Sequence, residues 1–382
     1  MEVFLKGVYR NFFLTGARIV FRLVNRVMGQ PASRNTMLRS DFFDHPPASS
    51  TTSTKLLKKC EDAHSDKRQL LTRSFHVVSG STDSDQKEQR NGCIRVMQWN
   101  ILADALGEGA DNFIKCPSQV LKWKSRRLAC LQEILTYDPD VVCLQEVDHY
   151  EDFFKKHLER VGYVGTFNPK PDSPCLYCLH NNGPDGCAVF YKSKKFTLVS
   201  SISPILEVVE SGQKWTTNQV AVLVRLRCNS PEKGHPKEFV VGTTHLKAKS
   251  SYQKLRYLQG LNLLEILEKQ ADKCPLIFGG DFNAEPTEEV YKAFENSKLS
   301  LKSVNKLLSD DGSSEPPYTT WKIRPSGEMC HTIDYMWFTQ SQLQPLRILQ
   351  FPSGVEIGEN RLPSRNYPSD HLSLVADFAF TL

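Results

Sequence analysis

Acid is almost absent from the start of this chain. Among the first forty residues only Glu2 is acidic, against Lys6, Arg10, Arg18, Arg22, Arg26, Arg34 and Arg39. Long apolar runs are missing there too. Within residues 1–28 the longest uncharged run is Asn11–Ala17, far short of the roughly 20 residues a membrane span needs and short for a secretory signal core. No integral membrane segment is expected. No unit of about 20–50 residues repeats, which excludes a solenoid. Glycine and proline, 21 each in 382 residues, are not enriched, so the chain is neither collagen-like nor of low complexity. The eleven cysteines are odd in number and follow no regular spacing, which fits free thiols in a reducing compartment better than a disulfide framework. A basic excess is also missing from the body: beyond residue 40 there are 41 basic and 42 acidic residues. The overall charge of +5 therefore belongs to the leader.

What is present begins with that leader. Arg18, Arg22 and Arg26 recur every four residues and share one helical face, with Ile19, Val20, Leu23, Val24 and Val27 opposite. A basic, acid-poor amphipathic helix is expected within 1–28, and the leader over 1–40 is read as a mitochondrial presequence; a helix lying on a membrane surface is the alternative. Met28 or Met37 could start a leaderless product, expected in the cytoplasm or nucleus. Residues 41–92 read as a flexible linker, because Asp44–Thr54 and Ser79–Gly92 are polar and rich in turn formers, with room for a short helix within Leu56–Phe75.

From Cys93 to the end, short β-rich runs alternate with amphipathic segments. Strands are expected at Ile94–Gln98, Val141–Leu144, Cys187–Tyr191, Gln219–Leu226, Phe239–Thr243, Leu276–Phe278, Ile333–Phe338 and Leu372–Phe378. Helices are expected at Trp123–Thr136, Tyr252–Glu268 and Thr287–Phe294. Several strands follow one another without helices between them. The pattern predicts one α/β domain over 93–382, with two mixed β-sheets packed as a sandwich and flanked by helices.

The chemistry sits where apolar runs end. Ile94–Gln98 leads to Asn100, Val141–Leu144 to Glu146, Phe239–Thr243 to His245, and Leu276–Phe278 through Gly279-Gly280 to Asp281 and Asn283. Asp370 and His371 stand just before the last strand. Taken singly, each is as well explained as a solvated strand end, a turn former or a cap. Strands that end at one rim would bring them together, and rims of rigid scaffolds carry catalytic groups. An Asp-x-Asn pair on an extended segment puts two oxygens on one side, and a glutamate from a neighbouring strand makes the site hard and oxygen-rich. Such a set suits Mg²⁺ and not Zn²⁺. Asp334 could orient a histidine as a base or as a stabiliser of phosphoryl charge. Metal-assisted hydrolysis of a phosphate ester would use all of these groups. Cys175 and Cys178 have the spacing of half a zinc site, with His180 and Cys187 nearby, but no second pair completes it.

Val141–Glu146, Gly280–Asn283 and Ser369–His371 resemble the endonuclease/exonuclease/phosphatase superfamily. Longer strings, among them VMQWNILADALGEG (96–109), NNGPDGCAVF (181–190), TTHLKAK (243–249), GGDFNAEPTEEVY (279–291), PPYTTWKI (316–323) and NYPSDHLSLV (366–375), narrow the resemblance to one branch, next to the poly(A) deadenylases. It covers about residues 93–381. It implies the two-sheet sandwich and dependence on Mg²⁺. It implies that Glu146 binds the metal, with Asn100, Asp281 and Asn283 around the metal, the attacking water and the scissile phosphate. His371 matches the catalytic histidine, Asp334 its partner, and Asp370 lies close by. His245 and Lys170 match phosphate contacts. Lys247 and Lys249 match a basic pocket for the 2′-phosphate side of the substrate, and Asn218 another substrate-side residue. The branch tends to carry Arg where this chain has Lys249, and Arg grips a phosphate bidentately where Lys does not. The implied reaction removes the 2′-phosphate of NADP⁺ and NADPH. The alternatives are a 3′-exonuclease shortening the poly(A) tail of mRNA, and a non-catalytic regulator binding RNA or protein.

Overall fold

A computed structural model describes residues 52–63, 70–78, 93–107, 113–230 and 238–381. The leader over 1–40, with Met28 and Met37, lies outside them. So do the polar ends of the expected linker.

Two seven-stranded sheets dominate the described residues. The first runs in the order Phe75–Val77, Leu343–Leu349, Leu374–Phe380, Cys93–Asn100, Val141–Val147, Gly186–Lys192, Tyr163–Pro169. The second runs Leu301–Ser303, Asp334–Thr339, Leu276–Asp281, Glu238–His245, Gln213–Cys228, Phe196–Ile202, with Ile205–Glu210 paired beside it on Gln213–Cys228. Each sheet is antiparallel except for one central parallel pair: Cys93–Asn100 with Val141–Val147, and Glu238–His245 with Leu276–Asp281. Period-2 alternation aims Ile94, Val96, Val141 and Cys143 of the first sheet at Val222, Val241, Ile277 and Met336 of the second, and these form one buried core. The outer face of the second sheet is covered by the helices Gln253–Ala271 and Glu289–Glu295 through Leu263, Leu267, Val290 and Phe294. The expected sandwich is the observed fold, and no described helix is long and apolar enough to cross a membrane.

Buried side chains bridge the two sheets near one rim. Gln98 Nε2 donates to Gln145 Oε1 (2.7 Å), and Gln145 Nε2 crosses to Thr243 Oγ1 of the other sheet (2.6 Å). A Cβ on Gly279 would meet Gln98 Cγ at 2.7 Å, and one on Gly280 would strike the Thr244 carbonyl. Gly279-Gly280 is therefore not the turn that its composition suggests. Both are strand residues: Gly279 makes room for Gln98 of the other sheet, and Gly280 for the neighbouring strand at Thr244.

The expected linker over 41–92 is corrected in part. Ser53–Ala63 is a helix that buries Leu56 and Cys60, four residues apart on one face, and packs on the helix Trp123–Tyr137. Phe75–Val77 is the edge strand of the first sheet, with the Phe75 ring under the Arg95 and Arg347 guanidinium groups. Between them, buried Arg73 donates to Glu133 Oε1 and to the Ser373 carbonyl, each at 2.9 Å. The short helix allowed for within Leu56–Phe75 thus lies slightly earlier, and the strand went unseen because its partner lies more than two hundred residues away. All eleven cysteines are free. The half zinc site does not close: the Cys175, Cys178 and Cys187 thiols face Asp185, the Pro174 carbonyl and the Val220 carbonyl.

Candidate active site

The two parallel pairs end at the same rim, and their antiparallel neighbours begin there. Asn100 ends its strand, as do His245 and Asp281. Asp334 begins its strand directly opposite Asp281. His371 lies three residues before the last strand, and Ser369 Oγ ties its loop to the Asn100 carbonyl (2.6 Å).

Glu146 reaches the site by a break in regularity. Val141, Cys143 and Gln145 point between the sheets, so simple alternation would send Glu146 outward. A register shift between Leu144 and Val147 and a φ of 57° at Glu146 turn it inward instead, as β-bulges do beside active sites. Glu146 Oε2 then accepts from the Ala103 amide (3.1 Å). Asn100 Nδ2 donates to both Glu146 Oε1 and Asp281 Oδ2, each at 2.9 Å. Asn100 thus shows its amide nitrogen to the carboxylates, while its oxygen accepts from Leu102 N (3.0 Å).

The Asp-x-Asn geometry also differs from the expected extended form. The strand ends at Asp281, and Asn283 has a φ of 50°. Its N–H donates to Asp281 Oδ1 (2.9 Å), and its amide donates to His245 Nε2 (2.9 Å) and the Leu246 carbonyl (3.2 Å). Phe282 between them is buried among Phe294, Tyr335 and Trp337, and that aromatic anchor bends the chain. Lys170 Nζ pairs with Asp185 Oδ2 at 2.7 Å and lies 3.4 Å from His245 Nδ1.

His371 Nδ1 donates to Asp334 Oδ2 (2.9 Å), which also accepts from Thr319 Oγ1 (2.7 Å). His371 Nε2 lies 3.9 Å from Asp281 Oδ2 and 3.7 Å from Asp370 Oδ2. Lys322 Nζ reaches Asp370 Oδ2 at 2.5 Å and His371 Nε2 at 3.3 Å, and Arg324 reaches the same Asp370 oxygen at 3.5 Å.

Burial and neighbours set the charges. Burial, then the Asp334 carboxylate, push Asp281 up to about 7. Burial alone would depress the His371 imidazole, but Asp334 overrides it and lifts it to about 9. Burial and the Lys170 cation hold His245 well below the usual histidine range, so it is neutral. Burial would raise Asp370, but Lys322, His371 and Arg324 hold it well below the carboxylate range. For Lys170, Asp185 and Glu146 outweigh burial and keep the ammonium charged.

Three carboxylates, Glu146, Asp281 and Asp334, crowd this buried centre. The raised Asp281 records the burial and the Asp334 repulsion that a divalent cation would relieve. Ligand atoms of Glu146, His245 and Asp281 lie within 4.8 Å of one another, and so do those of Asp281, Asp334 and His371. Both groups could hold a metal.

The remaining expected residues lie further out. Lys247 is half-buried, with its ammonium 5.0 Å from the Tyr252 ring centre. Burial, Lys249 and Lys170 lower it. Lys249 is exposed with a φ of 79°. Buried Arg256, paired with Glu288, holds the Lys247 and Lys249 carbonyls from behind (2.9 and 2.7 Å). Asn218 is bonded to the backbone of Asp172, two residues after Lys170, outside the inner net. Sequence reasoning did not single out Lys322, Arg324, Asp185 or Thr319. The signal for the first two was the alternation of Thr320, Lys322 and Arg324 along one strand.

Such a centre, at the common rim of a mixed-sheet sandwich, defines the hydrolase class to which the sequence comparisons also lead. The family model described as Endonuclease/Exonuclease/phosphatase family matches residues 97–371. The chain is 53% identical to nocturnin of Xenopus laevis over 328 residues, covering 85% of this chain and 81% of that protein. It is 56% identical to nocturnin of Homo sapiens over 290 residues, 75% of this chain and 65% of that protein's own length. The structure of the human nocturnin catalytic domain with bound sulfate anion superposes with a TM-score of 0.65 at 47% identity, covering 81% of this chain and 98% of that one. The chain belongs to the Endonuclease/Exonuclease/phosphatase family, and within it to the nocturnins.

Proposed function

We propose that this protein is a Mg²⁺-dependent phosphohydrolase that removes the 2′-phosphate of NADP⁺ and NADPH, giving NAD⁺ and NADH. The observation that carries this reading is the convergence of cations. Lys170 lies inside the centre beside His245, and Lys247, lowered first by burial and then by the Lys249 and Lys170 charges, continues the basic character outward. Beyond residue 40 the chain, these lysines included, is close to neutral. A compact, multiply charged phosphate fits that focus better than a strand, which needs a basic track. The human relative was solved with sulfate, an anion of phosphate's shape.

In this reading Glu146 and Asp281, with Asn100 aligning both, hold Mg²⁺. The ion supplies Lewis-acid stabilisation of phosphoryl charge. Lys170 and His245 bind the phosphate. Asn283 and Asp281 position the water. Its oxygen bonds to phosphorus, the bond from phosphorus to the ribose 2′-oxygen breaks, the water loses a proton and the departing oxygen gains one. His371, whose ring Asp334 fixes, is a group available for proton transfer. Lys247, Lys249 and, further out, Asn218 bind the remainder of the substrate. Residues 1–40 act as a mitochondrial address, and a reporter fused to them should localise there.

The deciding assay offers the purified protein, with Mg²⁺, NADPH and oligo(A) side by side. Phosphate and NADH should form. Shortened oligo(A) with intact NADPH would instead establish the exonuclease, and binding without turnover of either would establish the regulator.

A further inference from the structure

Residues 71–77 precede the expected domain start at Cys93, yet they are built into the loop that carries His371. Leu71 N–H donates to the Asn366 carbonyl (2.9 Å) at the entry of that loop. Arg73 holds its exit: Nη1 donates to the Ser373 carbonyl (2.9 Å), and Nη2 donates to Ser373 Oγ and to Glu133 Oε1. The same Glu133 oxygen accepts from Tyr367 Oη (3.0 Å) and Ser373 Oγ (2.8 Å). Tyr367 Oη in turn accepts from Ser373 N–H (2.8 Å). Arg73, Glu133, Tyr367 and Ser373 are all buried.

His371 lies between Tyr367 and Ser373, and both flanks of it answer to this net. Its carbonyl accepts from Trp99 Nε1 (2.7 Å), and the Trp99 ring packs on Tyr367 with 5.8 Å between centres. Ser369 Oγ and the Thr319 carbonyl fix the middle of the loop through His371 N (3.1 Å) and Leu372 N (2.8 Å). Ser373 is the polar anchor just before the strand Leu374–Phe380, and Arg73, Glu133 and Tyr367 hold it. The planar arginine fork can address a carbonyl, a hydroxyl and a carboxylate at once. A buried ion pair adds little net stability over a well-packed apolar pair, so this one calls for a role in geometry.

We propose that Arg73 is a positioning residue for His371: through Ser373, Glu133 and Tyr367 it sets the loop so that His371 Nδ1 meets Asp334, and the catalytic unit therefore begins ahead of Arg73. This rests on the reading above in which His371 takes part in proton transfer. A displacement of about 1 Å at a reacting group costs up to about a hundredfold in rate, with no matching change in substrate binding.

The test uses the full chain with Mg²⁺ on NADPH and compares wild type, Arg73→Gln, Arg73→Lys and Phe196→Leu. Phe196 is the control for lost stability alone: it packs on Phe239, at the end of the second sheet away from His245. Arg73→Gln should lower kcat about tenfold or more while KM for NADPH stays within about twofold. The His371 Nδ1 proton resonance, identified in isotope-labelled histidine by its loss in Asp334→Asn, should shift or vanish with it. Arg73→Lys keeps a cation for Glu133 and should recover melting temperature more than kcat, because one ammonium does not reproduce the fork. Phe196→Leu should lower the melting temperature and leave kcat and the resonance unchanged. Wild-type kcat with an unmoved resonance in Arg73→Gln overturns the proposal while the phosphohydrolase reading stands, and so does an equal loss of kcat in Phe196→Leu. Should Arg73→Gln not fold, Arg73→Lys carries the same comparison. A wild type that ignores NADPH overturns the phosphohydrolase reading, and the resonance, which needs no substrate, then decides the positioning by itself.

Discussion

The inner centre and the outer lysine arm hold the same kinds of residue under opposite rules. Inside, Lys170 is buried against Asp185, and His371 and Asp281 take protonation states imposed by Asp334 and by exclusion of water. Outside, Lys249 is exposed, and its position is set through the backbone by Arg256. An inner group therefore cannot be removed without leaving a partner charge stranded, whereas an outer one can. The difference teaches which losses should appear as lost turnover and stability, and which only as weakened binding.

Glu146→Ala breaks the inner side most severely. It removes a carboxylate of the proposed Mg²⁺ site, and turnover should fall by about a thousandfold or more, with folding checked by circular dichroism. Retained turnover would place the centre elsewhere. Asp334→Asn takes away the negative charge that holds His371, and kcat should drop about 10²-fold or more, with the pH profile of kcat displaced as the imidazole loses the carboxylate that raises it. Lys170→Ala should cost both activity and stability, because Asp185 would be left buried and unpaired at about 3–5 kcal/mol by denaturant unfolding.

The pH response sharpens the same contrast. Between its ordinary value near 3.8 and about 7, Asp281 keeps its proton in the folded chain and loses it in the unfolded one. Without metal, stability should therefore fall as pH rises through that window. Mg²⁺ relieves the exposed charge, so its stabilising effect on melting temperature should be larger at about pH 7.5 than at about pH 5.5. Lys247→Ala should leave that pH dependence intact while raising KM for NADPH about tenfold with little change in kcat. The smallest effect belongs to Lys249→Arg. A bidentate guanidinium at this exposed position should lower KM only about two- to fivefold without moving the melting temperature.

Much of this molecule is legible in its sequence. The helix over Trp123–Tyr137 and the strand over Leu276–Asp281 fall where apolar periodicity puts them. The edge strand Phe75–Val77 does not stand out, because it is defined by its distant neighbour Leu343–Leu349 and not by its own pattern. The short hairpin around Lys322 is hidden for a similar reason: it is held to the centre by residues about fifty positions later in the chain.

The sequence by itself determined which chemical groups end the strands, and so the family, because strand alternation and residue type are local properties. Only the tertiary structure decided that Glu146 turns inward at a bulge, that Asn100 offers nitrogen to two carboxylates, and that Lys322 meets His371. These features depend on where separate strands come to lie in three dimensions, and burial among those distant neighbours is what fixes the charge of each group.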